Sequence, residues 1–341
     1  MRVGLDLQAL NGTPTGIGEY AWHLSDALVA EGLALTGLRN QRFDLWRFDR
    51  RLLWDQLLLP LAASRAKIDL LHCTSGTIPF AENVPIVATI HDVAWLRTQG
   101  HTSWYARAYY GGFTSMRMRT VRRLLTVSEF SRRELLDCTS LDPERVDVVP
   151  LGVAADIHAV TRSPHERPFI LAVGTVEPRK NLEVVVRALR SLPGVELISV
   201  GPLTPYREKC ELLAREYGVV DRVRFAGYVE RDYLLALYAR AAVAVVPSMY
   251  EGFGLAAAQA LCAGVPLVAA DAASLPEVVA KDAPLVDPRD VSGWEDALAA
   301  ILGDRSAAER RAASLRVAAM QRFSWEACAR ATIRTYTRAL E

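Results

Sequence analysis

The sequence predicts an α/β protein of two doubly wound domains, and three observations carry that prediction. Short apolar runs alternate with helical stretches along most of the chain, the pattern of parallel strands joined by crossover helices. That rhythm is interrupted once, by a polar, proline-punctuated stretch around residues 148–168. At 341 residues the chain is also long for a single hydrophobic core.

The first domain is expected over residues 1–155. Arg2–Leu7 reads as a buried strand and leads into Asn11-Gly-Thr-Pro-Thr-Gly16-Ile-Gly18-Glu-Tyr-Ala21. A helix follows over Tyr20–Ala30, with apolar residues at helical spacing. A second strand ends at Arg39-Asn40, and further strands are expected at Asp69–Cys73, Ile86–Ile90 and Leu124–Val127. Ser128 and Ser131 are N-cap candidates for a helix running to about Asp137. Residues 156–168, with Asp156, His158, Pro164, His165 and Pro168 and no period, read as a linker.

The second domain is expected over 169–322. Its strands are Phe169–Val173, Glu196–Val200, Val223–Ala226, Val243–Val246, Leu267–Ala270 and Pro284–Val286. Helices lie between them at Leu182–Leu189, Tyr206–Tyr217, Asp232–Ala239, Leu255–Ala263 and Pro276–Ala280. From Ser292 to Leu340 the tail reads as helix, broken near Phe323-Ser324, where Ser324 can cap a last helix over 323–341.

Composition narrows the function classes. With 51% apolar and 23% charged residues the chain is globular. A net charge of +1 gives no overall pull toward nucleic acid or an anionic membrane, so such a contact must be a local patch. Five scattered cysteines without a C-x-x-C spacing favour small buried residues over disulfides or metal ligands. No basic-then-apolar leader opens the sequence, and no apolar run approaches the length that spans a bilayer. A cytoplasmic protein is the expected reading.

The stretch from Pro247 to Pro266 organises the chemistry. A strand runs into a loop with one carboxylate, Glu251, and two glycines, Gly252 and Gly254, and a small-residue helix follows. Glycines let the backbone approach a ligand, and the new helix presents N–H groups to an anion. A plain strand-to-helix turn is the alternative. Gly174-Thr-Val-Glu-Pro-Arg179-Lys180-Asn-Leu182 occupies the same place after the first strand of the second domain. Two cations at a helix start oppose the macrodipole unless an anion is present, which suits a diphosphate. His91 sits where the strand Ile86–Ile90 ends, on the ligand edge of an open sheet, where it can donate to a sugar hydroxyl or stabilise developing charge. A structural histidine capped by Asp92 is the alternative.

Gly16-Ile-Gly18-Glu-Tyr-Ala21 fits a dinucleotide fingerprint. The long loop before it, and Arg39-Asn40 where a ribose-binding acid would stand, weigh against that reading. The loop is taken as a mobile segment facing phosphate or substrate, with a plain turn as the alternative. Two arginine-rich stretches, Arg39–Arg65 and the acid-free, aromatic Trp95–Arg123, are candidate acceptor or membrane surfaces, with solvated basic helices as the alternative. No Asp-x-Asp, H-E-x-x-H or zinc spacing occurs, so no metal site is expected.

Together these residues identify a resemblance. Glu251-Gly-Phe-Gly254, eight residues ahead of Gln259, with Ala-x-x-x-Gly264-x-Pro266 behind it, resembles the Glu-x7-Glu region of retaining GT-B glycosyltransferases of family 4. Gly16-Ile-Gly18, Thr126–Arg132, Val149–Val153, Gly174–Leu182 and Phe225–Val229 resemble further segments of the family, so the likeness covers nearly the whole chain. It implies two Rossmann-like domains facing a cleft, an N-terminal acceptor-side domain and a C-terminal nucleotide-sugar domain. It also implies a final helix that crosses back to the N-domain.

The implied reaction moves a sugar from a nucleotide-sugar to an acceptor hydroxyl with retention and without metal or cofactor. Glu251 would face the donor sugar, and the backbone of Gly252, Phe253, Gly254 and Leu255 would hold its hydroxyls and phosphate. Arg179 and Lys180 would bind the diphosphate beside Gly174. Gly227, Tyr228 and Val229 would contact the base, while Gly16 and His91 would act from the N-domain. The form of Gly174–Leu182 most resembles mannosyltransferase members, which points toward mannose and a GDP-linked donor and leaves a UDP-linked one open. The acceptor would be a glycan or lipid-linked hydroxyl, with peripheral membrane contact through the Arg/aromatic segments.

Two residues depart from the pattern. Gln259 stands where the second Glu grips the ribose, and an amide accepts at one end and donates at the other. Thr175 replaces an Arg often found after the glycine. Two other readings remain: a nucleotide-sugar-binding protein with weakened or no turnover, and an NAD-dependent dehydrogenase.

Overall fold

A computed structural model of the chain describes residues 1–12, 16–43, 48–94 and 107–341. Residues 13–15 of the glycine loop, 44–47 and 95–106, with Arg97, Trp104 and Tyr105 of the basic–aromatic stretch, lie outside the described residues. The chain divides into two units, Met1–Gly152 with Ser324–Glu341, and Val153–Phe323.

The sheet of the first unit is built from β1 (Arg2–Asp6), β2 (Ala34–Leu38), β3 (Leu70–Cys73), β4 (Ile86–Ile90), β5 (Arg123–Thr126) and β6 (Val146–Val148). Their order is β2-β1-β3-β4-β5-β6, parallel throughout. Every residue of β3 and β4 is buried. That explains why their sequences show no apolar–polar alternation: a parallel sheet covered on both faces has no solvent side to mark, and the two polar residues, His72 and Thr89, satisfy one another at 2.7 Å. The connection reverses direction between β1 and β3, which puts a ligand crevice at the carboxyl ends of those strands.

The second unit carries β7 (Phe169–Val173), β8 (Glu196–Val200), β9 (Val223–Gly227), β10 (Val243–Val246), β11 (Leu267–Ala270) and β12 (Leu285–Val286). Their order, β12-β11-β10-β7-β8-β9, is the doubly wound arrangement, with its switch point between β7 and β10. Leu255–Ala263, the helix after β10, is almost wholly buried, so its small residues serve close packing.

The last helix, Trp325–Leu340, belongs to the first unit. Ser324 caps it, its Oγ accepting from Ala327 N at 3.1 Å. Cys328, Ala329, Thr332, Thr335, Tyr336 and Ala339 form one buried stripe at helical spacing, packed on the helix Gly16–Ala30. Polar contacts fix its register: Tyr336 Oη lies 2.7 Å from His72 Nδ1, and Asp147 takes Thr335 Oγ1 and Arg338 Nη2 at 2.9 Å each. A Cβ on Gly152 would fall 2.5 Å from the Trp325 ring, so the glycine leaves room for the indole.

Three expectations are corrected. Residues 156–168 are not a free linker but part of the second unit: Ile157 is buried, and Arg162 donates to the carbonyl of Ala241 and pairs with Glu309. The helix expected from Tyr20 starts at Gly16, so both glycines of the motif sit in its first turn. The tail is broken at Asp304 as well as at Phe323-Ser324, because the Asp304 carboxylate accepts from Ala307 N at 2.9 Å and caps a separate helix, Arg305–Arg322. All five cysteines are free, four of them buried.

Candidate functional site

In the second unit the predicted residues converge at the switch point. The loops after β7 and β10 lie side by side because Asn181 Nδ2 donates to the carbonyls of Pro247 (3.1 Å) and Pro288 (2.7 Å), and Met249 N donates to Arg179 O at 2.8 Å. Asn181 holds a left-handed conformation (φ 52°) that asparagine tolerates better than most residues. A small cavity between the strand ends is lined by Gly174, Thr175, Lys180, Ser199 and Ser248.

Glu251 is the centre of this crevice. It is 7% exposed, and its carboxylate takes Lys180 Nζ at 2.5 Å, Ser248 Oγ at 2.7 Å and Arg179 Nη1 at 3.4 Å. Ser274 Oγ fixes the backbone by donating to Glu251 O at 3.0 Å. Burial by itself raises the pKa of this carboxyl, but Lys180 and Arg179 outweigh it and hold it below its ordinary 4.5. Arg179 is shared with Glu177, 2.7 Å from its Nε.

Two glycines set the backbone here. Gly201, at the end of β8, has φ +142°, and a Cβ on it would fall 2.2 Å from the carbonyl oxygen of Gly174. Gly254 has φ +96°, and a Cβ there would meet Leu275 at 2.7 Å. No side chain caps the helix that Gly254 opens, and its first N–H groups come only a few residues after Glu251 along the chain.

The remaining donor-side residues divide. Phe253 is buried, edge-on to Phe323 at 5.8 Å, so its ring serves packing and only its backbone can face a ligand. Gln259 is 6% exposed, and its Oε1 accepts from Tyr238 Oη at 3.0 Å. Tyr238 thus takes one of the two lone pairs of the amide oxygen, and the NH2 group remains a donor. Tyr228 and Val229 follow β9, and Tyr228 is exposed; Leu203, likewise exposed, lies 3.9 Å from where a Cβ on Gly227 would stand.

The first unit places Gly16 and His91 at its own ligand edge. A Cβ on Gly16 would meet nothing within 4 Å, so packing does not demand glycine there. His91 is half-buried, its ring edge-on to Tyr20 at 4.7 Å and its Nε2 2.9 Å from Thr74 O. Burial pushes its pKa below 6.5, so the ring is neutral at pH 7, and Nε2 must carry the proton it donates to the carbonyl. Nδ1 is then an acceptor. In this tautomer His91 meets a hydroxyl as an acceptor, where the sequence reading has it as a donor.

A second acid lies buried at the end of β1. Asp6 Oδ1 accepts from Gln8 N and Trp54 Nε1, both at 3.1 Å. Burial and the neighbouring Asp55 push its pKa up to about 6. Asp55 is itself buried, with Tyr109 Oη donating to it at 3.0 Å and Arg51 Nε 3.4 Å away.

Two family models match the chain. Residues 153–316 match the model of glycosyl transferases group 1, and residues 14–157 match that of glycosyltransferase family 4. An MMP alpha-(1->4)-mannosyltransferase of Mycolicibacterium hassiacum is 35% identical over 82% of this chain and 73% of its own length. The chain is a family 4 glycosyltransferase. Its fold is GT-B: a sucrose-phosphate synthase from Thermosynechococcus elongatus superposes with TM-score 0.79 at 24% identity, over 99% of this chain and 98% of that one. Anabaena HepE in complex with UDP-glucose superposes with TM-score 0.77 at 18% identity, over 99% of each chain.

In this glycosyltransferase several supporting residues escape a reading of the sequence. Ser248, Ser274 and Tyr238 act only through partners that folding brings near. Gly201 had a signal: it follows an apolar strand as Gly174 does. Among the described residues no helix is long and apolar enough to cross a membrane.

Proposed function

We propose that this glycosyltransferase moves a hexose, with retention, from a nucleoside-diphosphate sugar to a hydroxyl of a glycan or lipid-linked acceptor. The observation that supports it most is Glu251, ionised and buried, between Lys180, Arg179 and an uncapped helix start. A diphosphate carries more charge than one carboxylate and competes for both cations. Glu251, released from them, accepts from sugar hydroxyls while the cations stabilise the leaving diphosphate. The acceptor oxygen bonds to the anomeric carbon as the bond to the donor phosphate breaks, and a phosphate oxygen on the same face takes the acceptor proton. No side-chain base and no metal take part in this reading.

Tyr228 and Leu203 offer an exposed platform for the base. His91 Nδ1 offers a lone pair to a hydroxyl. The mannosyltransferase relative favours mannose, the resemblance of Gly174–Leu182 points to a GDP-linked donor, and the HepE complex keeps UDP-glucose as the second candidate. Incubation with GDP-mannose and UDP-glucose in turn, with the product anomer assigned by NMR, tests this. An inverted product, or no hydrolysis or transfer from any nucleotide-sugar, sinks the reading. Gln259, an amide where the second Glu of the motif stands, favours one alternative, a binder with weakened turnover, which tight donor binding without sugar release would support.

A further inference from the structure

Arg39, Arg42 and Arg65 surround one cavity of about 440 Å³ whose apolar wall is Trp54, Leu58 and Leu61. None of the three guanidiniums pairs with a carboxylate among the described residues; Arg39 donates to Asn11 and to Leu10 O, and the other two make no side-chain contact of this kind. Three like charges around one hollow repel unless an anion enters, and a solvated basic face would not need the hollow.

The outer face of the adjoining helical segment is apolar as well. Trp54, Leu59 and Ala63 turn inward and are buried. Leu53, Leu57 and Leu61 recur every four residues on the other side, 37%, 64% and 45% exposed, and Arg65 continues the row. Single exposed leucines are ordinary, but a row ending at a three-arginine hollow combines the two chemistries of a bilayer interface. The hollow also opens just past the carboxyl end of β2, on the sheet edge that carries His91.

We infer that this face docks the enzyme on an anionic phospholipid bilayer. The hollow of Arg39, Arg42 and Arg65 takes a headgroup phosphate, and Leu57 and Leu61 enter the acyl boundary. The inference is independent of donor chemistry, since it needs only the first unit's own surface.

Co-sedimentation with vesicles tests it. The full chain is expected to pellet with phosphatidylcholine vesicles containing phosphatidylglycerol, to stay in solution with phosphatidylcholine alone, and to be released by high salt. Arg42→Glu and Arg65→Glu should each weaken binding roughly fivefold or more, from the electrostatic contribution of one basic residue near a charged surface. Leu57→Gln should weaken it without changing salt sensitivity; Leu57 is exposed and holds no core position, and circular dichroism on each variant checks that the fold is kept. Equal binding to uncharged vesicles overturns the inference. So does a stabilising thermal shift with inorganic phosphate alone and no vesicle binding, which would make the hollow a soluble-anion site.

Discussion

Lys180 Nζ lies 2.5 Å from Glu251 Oε1, so the cation suited to a diphosphate and the carboxylate suited to its sugar neutralise one another before either meets the donor. Replacing the carboxylate therefore has two opposite effects. In Glu251→Gln the cations lose their internal competitor, and free nucleoside diphosphate should bind roughly fivefold more tightly. Turnover should fall by roughly a hundredfold or more, as when one electrostatic contact to a reacting group is removed. Calorimetry with GDP and UDP beside a transfer assay reads both. Weaker nucleotide binding with full turnover would remove Glu251 from the site.

The same pair sets a pH dependence. The folded pKa of Glu251 is depressed, so the stability it contributes is fully present above 4.5 and is lost as pH falls through its lower folded value. Thermal melts of the wild type and Glu251→Gln should therefore converge only below that pH. Convergence at neutral pH would mean that the pair contributes nothing.

Gly201 and Gly16 make a controlled comparison. Alanine at 201 must enter the Gly174 carbonyl at a backbone angle that side chains avoid, and should cost about 2 kcal/mol or more. Alanine at 16 stands in open space inside a helix, and should leave stability unchanged or slightly higher. If Gly16→Ala nevertheless lowers transfer, the glycine serves a ligand. Equal melting temperatures for the two variants would contradict the geometry at Gly201.

The contrast also marks what the sequence made legible. Buried parallel strands such as Phe169–Val173 and Val243–Val246 are unbroken apolar runs, and the structure has them at those bounds. Glu251 and Lys180 stood out separately, each beside glycines at a strand end. Their pairing did not, because they are 71 positions apart, with three strands and their connecting helices between them. Asp6 was visible only as an acid without an acidic neighbour in sequence; the turn at Trp54 brings Asp55 into its field. Asp304 carried an ordinary N-cap signal, hidden by the good helix formers on both sides.

Gln259→Glu restores a carboxylate at the ribose position. Tyr238 can still donate to it, and the second oxygen becomes an acceptor where the amide now donates. Charge-assisted bonds to ribose hydroxyls should tighten donor binding roughly tenfold. The unliganded protein should lose about 1–2 kcal/mol, because the new charge is 6% exposed and has one hydroxyl partner. Calorimetry and thermal melts measure the two effects. Unchanged affinity would show that Gln259 does not touch the ribose.

Asp6 should make the first unit less stable as pH rises. Its folded pKa, pushed up to about 6 from 3.8, means that the native state holds the proton more tightly than the unfolded chain. The protonated form is favoured in the fold, so stability falls as pH rises through that interval, and by pH 7 the ionised carboxyl costs about 3 kcal/mol. Asn at this position keeps an oxygen for Gln8 N and Trp54 Nε1 and cannot ionise. Asp6→Asn should therefore match the wild type near pH 4 and exceed it increasingly toward pH 7. A melting-temperature difference that stays flat across that range, or favours the wild type at pH 7, would mean that the Asp6 charge is compensated in the fold.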